Sequence, residues 1–238
     1  MIPKIIHYCW FSKELSPVAI KCIDSWHKYM PDYQYKLWNL DNFDINSNLY
    51  AKQAFEVGKY AFAADYVRLY ALYTEGGIYL DCDVEVFKPF DDLLSLKAFA
   101  GFEGSKYNPV MGALFASEAG GAWVKEQLSM YDDRAFIRED GTFDMTTNTQ
   151  IITSRMVEDG FVQNGKLQQY KDLTVFPVDY FCPRQTTGEY IRTSNTYCDH
   201  LGCGAWIDKK GGWKSHLKTI IGSRNMTRLI KLKRALER

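Results

Sequence analysis

The chain has 238 residues, 46% hydrophobic and 15% aromatic, and its 29 basic and 29 acidic side chains cancel to zero net charge. That length buries one substantial core, and no repeat, low-complexity tract or linker divides it. Six cysteines without disulfide-framework spacing, and an amino terminus lacking a basic segment followed by a long apolar stretch, argue against a secreted scaffold, a signal peptide or a membrane span, so a cytoplasmic protein is expected.

The zero net charge hides an asymmetry. Residues 209–238 carry ten Lys or Arg and one Glu, leaving nineteen basic and twenty-eight acidic side chains in residues 1–208. The expected organisation is an acidic α/β body over 1–208 and a separate basic tail over 209–238. The aspartate-rich body repels phosphates, which argues against a nucleic-acid partner.

In chain order, residues 4–9 read as a first strand, 17–29 as a helix with apolar Val18, Ile20, Cys22, Ile23 and Trp26, and 33–38 as a second strand. Residues 49–59 and 61–74 look helical. The second of these is apolar or aromatic on every side, so it is predicted to be buried, and only Asp65 and Arg68 in it are charged. At i, i+3 those two share a helix face. They form either a buried structural ion pair, or a clamp in which Asp65 accepts hydrogen bonds from ligand hydroxyls while Arg68 donates.

Gly76-Gly77 ends this helix and leads into Ile78-Tyr79-Leu80-Asp81-Cys82-Asp83-Val84-Glu85-Val86-Phe87, predicted as one strand. Alternation puts Ile78, Leu80, Cys82, Val84 and Val86 in the core and Tyr79, Asp81, Asp83 and Glu85 on the opposite face. Two adjacent carboxylates repel each other, so the pattern points to a divalent cation bound to phosphate; a merely solvated strand face is the alternative. Further strands are expected at 98–102, 110–116 and 173–177, and helices at 122–131 and 147–158. Thr147 and Gln150 form a capping box that puts Asn148 in the first helical turn, where free N–H groups favour anions or ligand hydroxyls. Residues beyond 177 read as loop through Trp206. Cys198, His200 and Cys203, with Cys182 as a fourth ligand, raise a zinc alternative that lacks the usual Cys-x-x-Cys knuckle.

Taken together, Ile2-Pro3-Lys4-Ile5-Ile6-His7-Tyr8-Cys9-Trp10-Phe11, Ala64-Asp65-Tyr66-Val67-Arg68-Leu69-Tyr70, Gly76 through Asp83, and Thr146-Thr147-Asn148 resemble glycosyltransferase family 32, the DXD-motif sugar-binding-region enzymes, and within it the bacterial capsular-polysaccharide type. A more distant likeness reaches the glucosyltransferase domains of the large clostridial toxins. The resemblance implies a GT-A fold and retaining transfer of a hexose from a nucleotide sugar, with UDP-galactose or UDP-glucose as the expected donor. It further implies a glycan or lipid-linked oligosaccharide acceptor and a Mn²⁺ or Mg²⁺ cofactor. Carried over, Asp83 is the direct metal ligand, Asp81 meets ribose and the metal through water, and Asp65 and Arg68 hold the donor sugar. Asn148 lies near the transferred sugar and Trp10 stacks on uracil; Tyr79 and Trp206 complete the donor site. The family's carboxy-terminal paired histidines before Gly-x-Trp read here Asp199-His200-Leu201-Gly202-Cys203-Gly204-Ala205-Trp206, so the second histidine is Leu201. His200 is thus a third candidate for the metal or the phosphate, or a structural histidine.

Two other classes are weighed. A haloacid-dehalogenase-like phosphatase would use Asp81 and Asp83 as nucleophile and acid/base, but its later Gly-Asp motif has no counterpart in this sequence. A noncatalytic sugar-binding protein would also suit the aromatic content. In the tail, Met226, Leu229, Ile230, Leu232 and Leu236 gather on one side of a helix and Arg224, Arg228, Lys231, Arg234 and Arg238 on the other. This basic amphipathic pattern predicts peripheral attachment to the anionic inner face of the plasma membrane, or else a terminal helix packed on the body.

Overall fold

A computed structural model describes residues 1–104, 108–109, 112–184 and 188–203. Trp206 and the basic tail lie outside the described residues. The first half holds β1 (Ile5–Cys9), α1 (Pro17–Tyr29), β2 (Gln34–Trp38), α2 (Leu49–Glu56), α3 (Tyr60–Glu75), β3 (Gly77–Leu80), β4 (Val84–Val86) and β5 (Ala98–Glu103). After it come β6 (Asn108–Pro109), β7 (Leu114–Ser117), α4 (Ala122–Ser129), α5 (Asn148–Glu158), β8 (Gln168–Tyr170), β9 (Leu173–Phe176), α6 (Val178–Phe181) and β10 (Cys198–His200).

The helices start where local chemistry lets them. The Ser16 hydroxyl accepts from the Ala19 N–H, 3.1 Å away, and Pro17 takes the first helical position of α1, where its missing N–H costs nothing. Thr147 and Gln150 form the expected reciprocal capping box at the start of α5. At the end of α3, Gly76 and Gly77 adopt φ of 67° and 114°, and a Cβ on either would meet backbone atoms 2.6–2.7 Å away. Only glycine makes this turn from helix to strand without strain.

The main sheet runs β2-β1-β3-β7-β5-β9-β8, with β6 on the margin of β5. Strand β1 is parallel to β2 and β3, and β5 is parallel to β9, while β7 lies antiparallel between β3 and β5. Both faces are covered, as an α/β sheet of this kind requires. One face packs Ile6, Ile78, Leu80, Phe99 and Leu114 against Ile23 and Trp26 of α1 and Phe181 of α6. The other packs Tyr79, Ala100, Phe102, Phe115 and Val175 against Leu69 and Leu72 of α3, Trp123 of α4 and Ile152 of α5. The expected α/β architecture is therefore present, with the aspartate pair at the carboxyl end of β3. In open sheets ligands gather at such strand ends.

Several local expectations need correction. The aspartate segment is not one strand: β3 stops at Leu80, Asp81 to Asp83 turn, and β4 pairs with β10 in a separate antiparallel ribbon. The Val84 N–H bonds to the Asp81 carbonyl at 3.0 Å, closing the turn. Tyr79 does point away from Ile78 and Leu80, but that face is roofed by α3, so its ring is only 1% exposed. The stretch expected to be loop beyond residue 177 contains α6 and β10, with Tyr197 and Cys198 packed into the core. Strand β7 starts at Leu114, later than expected, and β8 and β6 went unpredicted because each is too short to show periodicity.

Candidate active site

Helix α3 carries two charges into an apolar interior, and each finds partners there. Arg68 is 3% exposed and its guanidinium lies 3.0 Å from an Asp65 oxygen and 3.5 Å from Asp81 Oδ1. Its Nε donates to the Ala64 carbonyl at 3.1 Å, another nitrogen donates to the Gly112 carbonyl, and the group lies 4.7 Å over the Tyr79 ring. The Tyr79 hydroxyl donates to the same Asp81 oxygen at 2.8 Å. One cation thus faces two carboxylates, and an aromatic plate and two carbonyls hold it in place.

This geometry gives the acids different protonation behaviour. Burial pushes Asp65 up to about 7, against the pull of Arg68 and with a further push from Asp81. Burial also raises Asp81, opposed by Arg68 and assisted by Asp83. Burial acts on Asp83 in the same direction, but the hydrogen bond and charge of His200 and the Cys203 N–H outweigh it and bring the carboxyl down to about 2. Cys203 N donates to Asp83 Oδ2 at 2.8 Å, and Leu201 N donates to the Asp83 carbonyl at 2.9 Å, so the segment after β10 is tied to the turn. His200 Nε2 is 3.5 Å from Asp83 Oδ1. Burial works against the imidazolium, yet Asp83 and Cys182 hold the ring well above the ordinary histidine range.

One ligand atom from each of Asp81, Asp83 and His200 lies within 4.8 Å of the others. Two carboxylates and an imidazole, each part-exposed at the mouth of the turn, form a donor set suited to Mn²⁺, and less to Mg²⁺, which favours oxygen alone. A metal bound through His200 must displace its proton. Asn148 is 2% exposed at the first turn of α5 and faces Asp65, whose charged form it favours, but among the described residues neither its amide nitrogen nor its oxygen has a partner at normal hydrogen-bond geometry. A buried amide with unmade bonds next to the clamp suits a ligand that supplies them.

Trp10 directly follows β1, half-buried, with its indole N–H donating to the Glu14 carbonyl at 3.0 Å. Its neighbour Cys9 receives the Cys82 thiol at its carbonyl, 3.6 Å away, which puts Trp10 next to the aspartate turn along the chain. The zinc set expected from Cys198, His200 and Cys203 is not assembled. The Cys198 thiol faces the Phe181 carbonyl, and Cys203 contributes its backbone to Asp83; Cys182 does meet His200, with Glu103 as the third group.

Sequence reasoning missed Glu103, which no motif marks, and His7. The His7 ring is fully buried, with Nε2 2.7 Å from the Gly76 carbonyl and Nδ1 accepting from Trp38 Nε1 at 3.0 Å. Burial lowers its pKa, so a neutral ring braces the Gly76-Gly77 turn from below. A surface hollow lined by Lys97, Lys171, Asp172 and Thr174 sits at the opposite, amino-terminal ends of β5 and β9 and holds none of these groups.

Residues 16–100 match the family model described as "Glycosyltransferase sugar-binding region containing DXD motif". The chain is similar to inositol phosphoceramide mannosyltransferase 3 of Schizosaccharomyces pombe, at 34% identity over 102 residues, covering 41% of this chain and 29% of that protein. It is also similar to inositol phosphoceramide mannosyltransferase 1 of the same organism, at 27% identity over 109 residues, covering 41% of this chain and 33% of the relative. The chain spans about a third or less of these curated relatives. Among solved structures it is similar to PaToxG glycosyltransferase, at TM-score 0.48 and 19% identity over 67% of this chain and 69% of that one. Another is a glycosyltransferase involved in glycosylation of the major capsid of PBCV-1, at TM-score 0.49 and 14% identity over 83% and 94%. Residues 16–100, which include Asp65, Arg68, Asp81 and Asp83, are therefore similar to the sugar-binding region of the DXD-motif glycosyltransferases.

Proposed function

We propose that this chain is a divalent-metal-dependent glycosyltransferase that moves a hexose from a nucleotide sugar to a glycan acceptor. The observation that carries the reading is the convergence of Asp81, Asp83 and His200 beside the buried Asp65–Arg68 clamp. A cation held by Asp81, Asp83 and His200 would supply Lewis-acid stabilisation of the leaving diphosphate. Asp65 accepts from donor-sugar hydroxyls, and Asn148 fills its open hydrogen-bonding positions on the same sugar. Arg68 neutralises Asp65 and Asp81 and, together with the Tyr79 hydroxyl, fixes the orientation of Asp81. Such anchoring holds the anomeric carbon in a reactive geometry and keeps the charges preorganised in a site with little water. Trp10 offers an aromatic face for the base, with UDP as the expected nucleotide, and Trp206, outside the described residues, is proposed to add a hydrogen bond to the donor.

The donor sugar is proposed as galactose or glucose. The fungal relatives named as mannosyltransferases add GDP-mannose to the set worth testing. A lipid-linked acceptor for surface or capsular polysaccharide is part of the same reading. It fits a protein in which, among the described residues, no helix is long and apolar enough to cross a membrane, and which would reach a bilayer through its basic tail.

The test is release of free nucleoside diphosphate from a panel of UDP- and GDP-sugars with and without Mn²⁺. Turnover of at least one donor is expected, lost on chelation and nearly lost in Asp83→Asn. Metal-independent turnover, or wild-type rates in Asp83→Asn, would refute the metal assignment. Phosphate release from simple monoesters without nucleotide-sugar turnover would favour the phosphatase class.

A further inference from the structure

Beside the aspartate pair lies a second cluster that shares His200 with the proposed transfer and adds two groups, Glu103 and Cys182, that the transfer does not use. Glu103 ends β5, Cys182 follows α6, and His200 ends β10, and one ligand atom from each lies within 4.8 Å of the other two. Cys182 is 5% exposed, its thiol contacts the His200 ring and the Arg184 carbonyl, and Glu103 is half-buried beside Thr149. Three separate elements thus bring a carboxylate, a thiol and an imidazole to one point.

We propose that Glu103, Cys182 and His200 form a second metal site, selective for a borderline-soft cation of the Zn²⁺ class. The chemistry of the donors separates it from the first centre. A thiolate and an imidazole prefer Zn²⁺, whereas the two aspartates supply the hard oxygens suited to Mn²⁺ or Mg²⁺. Three protein ligands with the fourth position left to water is a common zinc arrangement. Donors in a tetrahedral zinc shell stand about 3.3–3.8 Å apart, so a cluster whose donors lie within 4.8 Å of one another needs to draw in by no more than about 1.5 Å, within reach of side-chain rotation.

His200 couples the two centres. Its Nε2 faces Asp83 at 3.5 Å, which leaves Nδ1 for the second site and puts a carboxylate behind the imidazole, the support usual for a zinc-bound histidine. A neutral imidazole has one lone pair, so the ring ligates through one nitrogen at a time. Zinc at Glu103, Cys182 and His200 therefore takes His200 away from a metal held by Asp81 and Asp83, while its Nε2–H still donates to Asp83. This competition rests on the function proposed above, while the zinc site itself does not.

The experiment is a Co²⁺ titration of the full chain, read by thiolate-to-cobalt charge-transfer absorption, with Mn²⁺ binding followed in parallel by electron paramagnetic resonance. Wild-type protein should develop the band to saturation at one equivalent and lose it when Zn²⁺ is added. The band should vanish in Cys182→Ser, persist in Cys203→Ser and Asp81→Asn, and need roughly tenfold more Co²⁺ in Glu103→Gln. Stoichiometric Zn²⁺ should weaken Mn²⁺ binding to wild type and leave that of Cys182→Ser unchanged. No band in folded wild type, a band that survives Cys182→Ser, or equal Co²⁺ affinity in Glu103→Gln would overturn the site. Zn²⁺ binding that leaves Mn²⁺ affinity intact would overturn the competition. A wild type that binds Co²⁺ through Cys182 but turns over no nucleotide sugar would sink the transferase reading alone.

Discussion

Replacing Arg68 with Met tests whether the buried cation is what allows two carboxylates to stand side by side. Met keeps most of the apolar stem and removes the guanidinium that lies 3.0 Å from Asp65 and 3.5 Å from Asp81. Breaking a buried ion pair by deleting one partner costs about 3–5 kcal/mol, because the remaining charge stays buried and uncompensated. The cost should depend on pH in a defined direction. Asp65 already stands at about 7 in the fold against an ordinary 3.8, so its contribution is fully present below the ordinary value and is lost as pH climbs through about 7. Without Arg68 both Asp65 and Asp81 shift further up, and the loss extends to higher pH. Urea unfolding followed by circular dichroism should show a deficit of about 3–5 kcal/mol at about pH 8, smaller by at least about 1.4 kcal/mol at about pH 5, where Asp65 is protonated in both proteins. Adding Asp65→Asn to Arg68→Met should recover part of the deficit at the higher pH. A deficit below about 1 kcal/mol, or one that does not change with pH, would refute the argument.

Three further outcomes follow from the site. Because Asp83 and Cys182 hold the His200 imidazolium well above the ordinary range, a metal must expel a proton to use it, so Mn²⁺ affinity measured by calorimetry should rise between about pH 6 and about pH 9, and His200→Gln should flatten that slope. A flat wild-type profile would remove His200 from the metal shell. Trp10→Ala should weaken binding of UDP alone by about 1–3 kcal/mol if the indole stacks on the base, whereas unchanged affinity would return Trp10 to the protein's own packing. For the basic tail, truncation after Gly222 should abolish cosedimentation with anionic vesicles while sparing donor hydrolysis; equal, salt-sensitive binding by both forms would rule out a tail anchor.

The parts of the site legible in the sequence are those encoded over one or two turns of chain. Asp65 and Arg68 could be placed on one face of a buried helix because i, i+3 spacing and an all-round apolar context are local properties. The turn at Gly76-Gly77 and the capping box before Asn148 were readable for the same reason. The Asp81–Asp83 segment shows where this kind of reading stops. Its alternation fits a continuous strand, yet β3 pairs with β1 and β7 whereas β4 pairs with β10, and a chain that changes sheets must turn in between. Strand pairing is a choice among distant partners, and a hydrophobic pattern within ten residues does not specify it.

The sequence by itself determined the fold class and the local chemistry of the candidate site: α/β alternation, a buried acid–base pair, and two neighbouring carboxylates. Only the tertiary structure decided which groups complete that chemistry. Cys203 reaches Asp83 across 120 residues of chain, and His200 arrives with it because Tyr197 and Cys198 are held in the core with Phe90 and Phe181. The same packing brings Cys182 and Glu103 to His200. Closing a loop that long costs entropy that no local motif repays, and burial of aromatic and aliphatic surface around β10 offsets it. The position of His200 beside Asp81 and Asp83 is therefore set by the core, which a linear pattern does not display.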